Sequence, residues 1–362
     1  MGEGIKKYST LSLNGVCRSG EALQNFCMQE IAKTTTPEWQ KHIYQFVEEW
    51  LSPLDYIVAQ TSGSTGEPKK IKLKKEHMIA SAKKTIRYFN LQPDQTALLC
   101  LSANYIAGKM MIVRAFVGGF DLKLVEPGGY PLRDITTQID FAAMVPLQVS
   151  NSIQEVEAWR TVKTVIIGGG AVSDELKSSL VDLDTGFYET YGMTETVSHV
   201  AVRKIGEDDR FKPMPNVSFD VDERNCLVIQ APDISSTPVV TNDIVDVDAC
   251  GHLLLQGRYD NVINSGGVKI SPEQVERKLS KCIEAFFVIS SVQDDKLGEM
   301  LVLVVEEGVD LSQVKKQIKD IQSLNKYEKP KRILQVKNIP LTPTSKIMRN
   351  ELRQMIARGE AK

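Results

Sequence analysis

Residues 96–169 carry four short apolar runs: TALLCLS (96–102), DLKLVEP (121–127), FAAMVP (141–146) and TVIIGG (164–169). Helical patterns lie between or after them, in LQVSNSIQEVEAW (147–159) and SDELKSSLVD (173–182). Strand-length apolar runs alternating with helices predict a largely parallel sheet with helices on its faces, an α/β fold. In such a sheet ligands sit at the carboxyl ends of the strands.

Working outward, the texture changes between about 217 and 257 to hairpins, VSFDVDERNCLVIQAP (217–232) and VVTNDIVDVDACGHLLLQG (239–257), with turns at DERN and DACG. A β-rich subdomain is expected there. The polar, glycine-bearing stretch after Gly257 marks a junction, so the chain divides into a large domain, 1–257, and a small α+β domain, 258–362. The small domain should hold a helix at SPEQVERKLS, capped by Ser271 with Pro272 in its first turn. Strands in AFFVISSVQ and EMLVLVVEE, a helix in LSQVKKQIKDIQSL and a last strand in KRILQV complete it.

A chain of 362 residues exceeds what one core comfortably serves, consistent with two units. With 44 Lys and Arg against 46 Asp and Glu, bulk charge argues for neither nucleic acid nor an anionic membrane. The six cysteines form no C-x-x-C pair, which speaks against zinc and a disulfide framework and for a reducing compartment. Without a signal-like apolar start or a membrane-length run, the expected location is the cytoplasm.

Between the apolar YIVAQ and the basic IKLKK stands TSGSTGEPKK, residues 61–70. Thr61, Ser62, Gly63, Ser64, Thr65 and Gly66 leave backbone N–H groups free to turn inward, and Lys69 or Lys70 adds charge, a composition suited to phosphate. It is not the G-x-x-x-x-G-K-[ST] loop, because Glu67 and Pro68 intervene. On composition alone a flexible linker is an equal reading, but linkers rarely sit inside a patterned strand–turn–strand unit. Gly169, Gly170 and Ala171 follow the strand TVII, where a base or phosphate can approach the backbone. In YETYGMTE (188–195), Tyr191 offers a stacking face beside Gly192, Thr194 a hydroxyl, and Glu195 an oxygen ligand for Mg²⁺.

Together these stretches resemble the adenylate-forming superfamily of acyl- and aryl-CoA ligases, peptide-synthetase adenylation domains and luciferase. The resemblance runs from about residue 55 to the C-terminus. TND (241–243) is similar to the family's T-G-D with Asn242 in place of glycine, implying that Asp243 holds the ribose. RYDNVINSGGVKISPEQVE (258–276) resembles the hinge segment, implying Arg258 beside the ribose and Asp260 as pivot. LTPTSKI (341–347) resembles the last motif, which makes Lys346 the matching catalytic lysine.

The resemblance implies that ATP and a carboxylic acid give an acyl-adenylate and pyrophosphate, with Mg²⁺ on Glu195 and with Lys346 and Thr194 meeting the charge. Rotation about Asp260 would then bring Ser265–Lys269, including Gly267 and Lys269, to the site for attack by the thiol of coenzyme A. LSANYIAGKMM (101–111) sits where many relatives carry P-L-x-H-x-x-G, with Gly108 matching and Tyr105 at the histidine position.

Only about 60 residues precede the phosphate loop, fewer than in most members, a departure shared with compact bacterial o-succinylbenzoate:CoA ligases of menaquinone biosynthesis. That substrate needs a donor for its second carboxylate, and Tyr105, Lys109, Arg114 and His199 lie on segments near the expected pocket. Arg114 is expected to cap or snorkel at the end of a helix in AGKMMIVRAF. Alternatives are another small acyl- or aryl-CoA ligase, an enzyme loading a carrier protein, or a non-catalytic nucleotide-binding protein. A homodimer is compatible with the sequence.

Overall fold

The computed structural model describes residues 7–60, 70–319, 321–342 and 346–362. Its strands in the first half are β1 (Thr10–Leu13), β2 (Val16–Ser19), β3 (Tyr56–Gln60), β4 (Lys70–Lys74), β5 (Thr96–Leu99), β6 (Asp121–Leu124), β7 (Phe141–Met144), β8 (Thr164–Ile167), β9 (Gly186–Gly192), β10 (His199–Lys204) and β11 (Lys212–Pro213). Nine of them form one sheet in the order β11-β10-β9-β8-β7-β5-β6-β1-β2. From β1 to β9 the neighbours run parallel, and only the edge pairs with β2, β10 and β11 are antiparallel.

All four predicted runs are parallel strands, and their burial explains why they read as apolar throughout. Ala97, Leu99, Phe141, Ala143 and Ile166 face one core, built with the helices Gly20–Ala32, Glu38–Leu51, Lys75–Tyr88 and Ile106–Gly118. Leu98, Ala142, Met144, Val165 and Ile167 face the other, built with Pro146–Ser152 and Asp174–Leu180. Alternate side chains thus enter opposite cores, so a doubly covered strand shows no polar alternation.

Strands β12 (Ser218–Val221), β13 (Cys226–Gln230), β14 (Val239–Val247) and β15 (Leu253–Arg258) form the expected antiparallel meander, turning at Asp222–Asn225 and Asp248–Gly251. Beyond it, β16 (Ile263–Ser265), β17 (Val268–Ile270), β18 (Phe287–Asp294), β19 (Gly298–Glu306) and β20 (Arg332–Val336) make a separate five-stranded sheet. The cores over this sheet contain residues from Ile263 onward, while those of the large sheet and meander end at Leu253.

Local expectations are corrected in three places. LQVSNSIQEVEAW breaks into Pro146–Ser152 and Val156–Trp159. The helix read through Leu324 ends at Lys319 among the described residues. Ser271 stands at the N-cap position, but its hydroxyl donates to Gln256 O at 2.9 Å instead of accepting from its own helix, so it ties that helix to β15. The helix Glu38–Leu51 was not anticipated; Ile43, Phe46, Val47 and Trp50 lie on its buried stripe. Its C-terminal end is fastened by Lys75, whose ammonium is fully buried and donates to Trp50 O (2.8 Å) and Ser52 O (3.0 Å). Burial pushes that ammonium down to about 8.

Candidate functional site

Three strand ends and one hairpin define the site. The chain leaves β8 through Gly168–Ala171, and Gly169 (φ +84) and Gly170 are exposed. This turn is anchored from behind by buried Glu189, which accepts from Val172 N at 3.3 Å and from Arg203 at 2.6 and 2.9 Å. A Cβ at Gly192, which ends β9, would lie 2.3 Å from Ser198 O, so only glycine lets the two chains cross there. Between them Thr194–Thr196 form a 3-10 turn with Thr194 buried and Glu195 exposed. Val197 then adopts φ +65 and ψ −49, and Ser198 N donates to Thr196 O at 2.6 Å, a γ-turn of the rarer, strained hand.

Across from this turn, Asp243 and Arg258 are direct cross-strand partners on β14 and β15. Arg258 Nη1 donates to Asp243 Oδ1 at 3.1 Å, and Tyr191 Oη donates to Asp243 Oδ2 at 2.6 Å. Burial, then the neighbouring carboxylate, drives the Tyr191 phenol far above its ordinary range, so it stays a donor. The Tyr191 ring is buried rather than openly presented, and what it does for Asp243 is fix the carboxylate's orientation. Arg258 Nε is buried without a hydrogen-bond partner among the described residues. An orphaned buried donor beside an oriented carboxylate fits a polyhydroxylated, phosphorylated ligand.

Lys346 reaches this cluster from the C-terminal sheet's side of the chain. Thr342 N donates to Lys346 O at 2.8 Å and Lys346 N to Thr342 Oγ1 at 3.0 Å, closing the hairpin that presents it. Burial and the charge of Arg258 push its ammonium below the ordinary lysine value, opposed by Asp243. The helix Arg349–Ala357 fixes the base of that hairpin. Arg349 makes a two-pronged pair with Glu276, Nη1–Oε1 2.9 Å and Nη2–Oε2 2.6 Å, and also donates to Ile289 O at 3.0 Å. Sequence reading did not single out Arg349 or Glu276, although Glu276 ends the hinge-like segment.

Behind the γ-turn lies a buried polar cluster. The expectation that Arg114 caps or snorkels is overturned: it is 2% exposed in mid-helix. Its guanidinium donates to Thr85 Oγ1 (3.3 Å), Met111 Sδ (3.4 Å) and Ser198 Oγ (2.8 Å), and no carboxylate pairs with it among the described residues. Burial alone pushes its guanidinium down to about 10. His199 joins the cluster, 3.3 Å from Thr85 Oγ1 and 3.4 Å from Ser198 Oγ, and is held neutral, well below its ordinary value, by burial and then by Arg114. Lys109 is turned elsewhere: its ammonium donates to Val58 O at 3.2 Å and lies 3.5 Å from Glu49, tying the helix Ile106–Gly118 to β3. Tyr105 is exposed at the start of that helix.

The loop Thr61–Lys69, with Ser62, Gly63, Ser64, Thr65 and Gly66, lies outside the described residues. Its flanks are placed: β3 and β4 pair antiparallel, with Gln60 opposite Lys70. Gly267 and Lys269 sit in the β16–β17 hairpin, and Asp260 in the 3-10 turn Tyr259–Asn261 that follows β15. No described helix is long and apolar enough to cross a membrane, and no three-residue metal cluster occurs among the described residues.

Fold and site define a class first: an α/β enzyme whose strand ends meet a carboxylate–guanidinium–ammonium cluster that is completed by a lysine from the far end of the chain. Residues 14–230 match the AMP-binding enzyme family. The 2-succinylbenzoate–CoA ligase of Staphylococcus epidermidis is 25% identical over 329 residues, 81% of this chain and 68% of that protein. A solved acyl-CoA synthetase (AMP-forming)/AMP-acid ligase II-like protein from Dyadobacter fermentans is 35% identical, covers 92% of this chain and 98% of its own, and superposes with a TM-score of 0.59. The o-succinylbenzoate coenzyme A synthetase of Bacillus subtilis, solved with ATP and magnesium ion, shares the fold at 19% identity and TM-score 0.71, over 82% of this chain and 69% of that one. The chain belongs to the AMP-binding enzyme family, the AMP-forming acid–CoA ligases.

Proposed function

We propose that this enzyme converts o-succinylbenzoate to o-succinylbenzoyl-CoA, a step that would serve menaquinone biosynthesis in the cytoplasm. One carboxylate of the acid attacks the α-phosphorus of ATP, the bond to pyrophosphate breaks, and the thiolate of coenzyme A then displaces AMP from the acyl carbon. Asp243 and Arg258 would hold the ribose, Gly169, Gly170 and Ala171 the base, and the loop 61–69 the outer phosphates. Exposed Glu195 suits Mg²⁺, which is bound through few carboxylates plus phosphate oxygens and neutralises phosphate charge. Lys346 supplies the charge at the reacting carboxylate and phosphate.

The observation that carries the substrate is Arg114. A guanidinium withdrawn from water with only hydroxyl and thioether partners is costly, and a second carboxylate on the acid offsets that cost. o-Succinylbenzoate has such a carboxylate; benzoate and fatty acids do not. Pyrophosphate release across a panel of acids tests this, and a preference for benzoate or a fatty acid over o-succinylbenzoate would refute it.

The chain would divide near residues 257 and 258, with Asp260 as pivot and the Gly267–Lys269 hairpin taking the lysine's place in the second step. Lys346→Ala should slow adenylate formation about 10²- to 10³-fold while largely sparing thioester formation from preformed adenylate. Equal losses in both half-reactions would contradict that division.

A further inference from the structure

Position 242 departs from the family's glycine, and the structure gives its side chain an occupation that glycine cannot have. Asn242 Nδ2 donates to both oxygens of Asp260, at 3.0 and 3.2 Å. Its own amide oxygen accepts from Arg224 Nη1 at 2.9 Å. Arg224, from the β12–β13 turn, is in turn held by Asp222 Oδ2 at 2.7 Å and Thr241 O at 3.2 Å, and its guanidinium lies 5.2 Å from the centre of the Tyr259 ring. Arg258 Nη2 completes the ring of contacts on Asp260 at 2.9 Å. Two donors from β14 and β15 therefore grip the one carboxylate in the turn Tyr259–Asn261.

In this arrangement Lys346 stands beside Asp243 and Arg258, so the grip coincides with the lysine-in geometry. Rotating the turn about Asp260 would pull its carboxylate off Asn242, because Asn242 is held on a paired strand and cannot follow. We propose that Asn242, braced by Arg224, is a positioning residue that latches the hinge in the adenylate-forming orientation. The inference rests on the reading of Asp260 as the pivot of a two-step ligase. A ligand that binds one orientation can shift a two-state equilibrium only by its differential affinity. A built-in latch shifts the starting population in the same way, toward the first half-reaction and against the second.

The test compares wild type with Asn242→Gly, Asn242→Asp and Arg224→Ala in the full chain. Adenylate formation is followed as pyrophosphate release, and thioester formation as attack of coenzyme A on preformed adenylate. Loss of two exposed hydrogen bonds should slow the first about three- to tenfold and leave the second unchanged or faster. Asn242→Asp, which sets two carboxylates face to face, should shift the ratio further in the same direction, and Arg224→Ala less. Hydrogen exchange of the Tyr259–Val262 amides provides a readout independent of turnover: it should quicken in the variants while β18 and β19 stay unchanged. Equal falls in both half-reactions, or unaltered exchange at the hinge, would overturn the proposal. If wild type adenylates no acid, the ligase reading fails, and hinge exchange alone then decides whether the latch exists.

Discussion

Two arginines withdrawn from water to different degrees, Arg114 buried and Arg349 half-buried, meet opposite fates. Arg349, in the C-terminal unit, is neutralised by the two-pronged Glu276 and by Ile289 O. Arg114, in the large unit, has two hydroxyls and a thioether, with no carboxylate among the described residues. A buried cation with its counter-charge in the fold is a rivet; one without it is a vacancy in the electrostatics that a ligand can fill. What separates the two is the carboxylate, present beside Arg349 and absent beside Arg114 among the described residues.

Breaking the rivet should have the larger effect. Arg349→Ala leaves the half-buried Glu276 without its partner, so urea unfolding should show a loss of about 1.5–3 kcal/mol. Because Arg349 stands three residues beyond Lys346, adenylate formation should fall with it. Retained stability would show that Glu276 is compensated some other way. Arg114→Met should do the reverse: stability within about 1–2 kcal/mol of wild type, with binding of o-succinylbenzoate weakened about 10- to 100-fold. A monocarboxylate should bind the variant no worse, and parallel losses for both acids would sink the assignment.

The smallest expected effect concerns His199, which burial and then Arg114 keep neutral. Its pKa in the folded protein lies below the unfolded value of about 6.5, so the unfolded chain binds the extra proton. The stability involved is complete above about pH 6.5 and is lost as pH falls toward the folded value, with a slope of at most about 1.4 kcal/mol per pH unit. Denaturant midpoints at pH 7 and pH 5 should differ less for His199→Gln than for wild type. An equal difference would place the proton elsewhere.

These particulars also show what could be read from the sequence. The parallel strands were legible because burial on both faces removes the polar alternation, and Asp243, Arg258 and Lys346 because their neighbours form local motifs. Arg114 was seen but misjudged. AGKMMIVRAF is apolar around most of its circumference, and a helix of that kind is buried on all sides, so its arginine has no solvent to reach. Ser271 misled because a distant carbonyl, Gln256 O, competes for a hydroxyl that local rules assign to the cap. Glu276 and Arg349 stand 73 residues apart and carry no local signature of their pairing. The stripe of Ile43, Phe46, Val47 and Trp50 was available in the sequence and would have given the helix Glu38–Leu51.

The γ-turn at Val197 has a practical consequence for anyone redesigning this enzyme. A β-branched residue held at positive φ costs on the order of 1–3 kcal/mol, and such strain persists only where surrounding structure enforces it. Glycine at 197 would relieve the torsion but empty a buried side-chain site, because Val197 packs in the main core. The same relief would free the Thr194–Glu195 turn from one side and Ser198 from the other. Packing and turn geometry therefore make the same demand at this position, and the valine serves both.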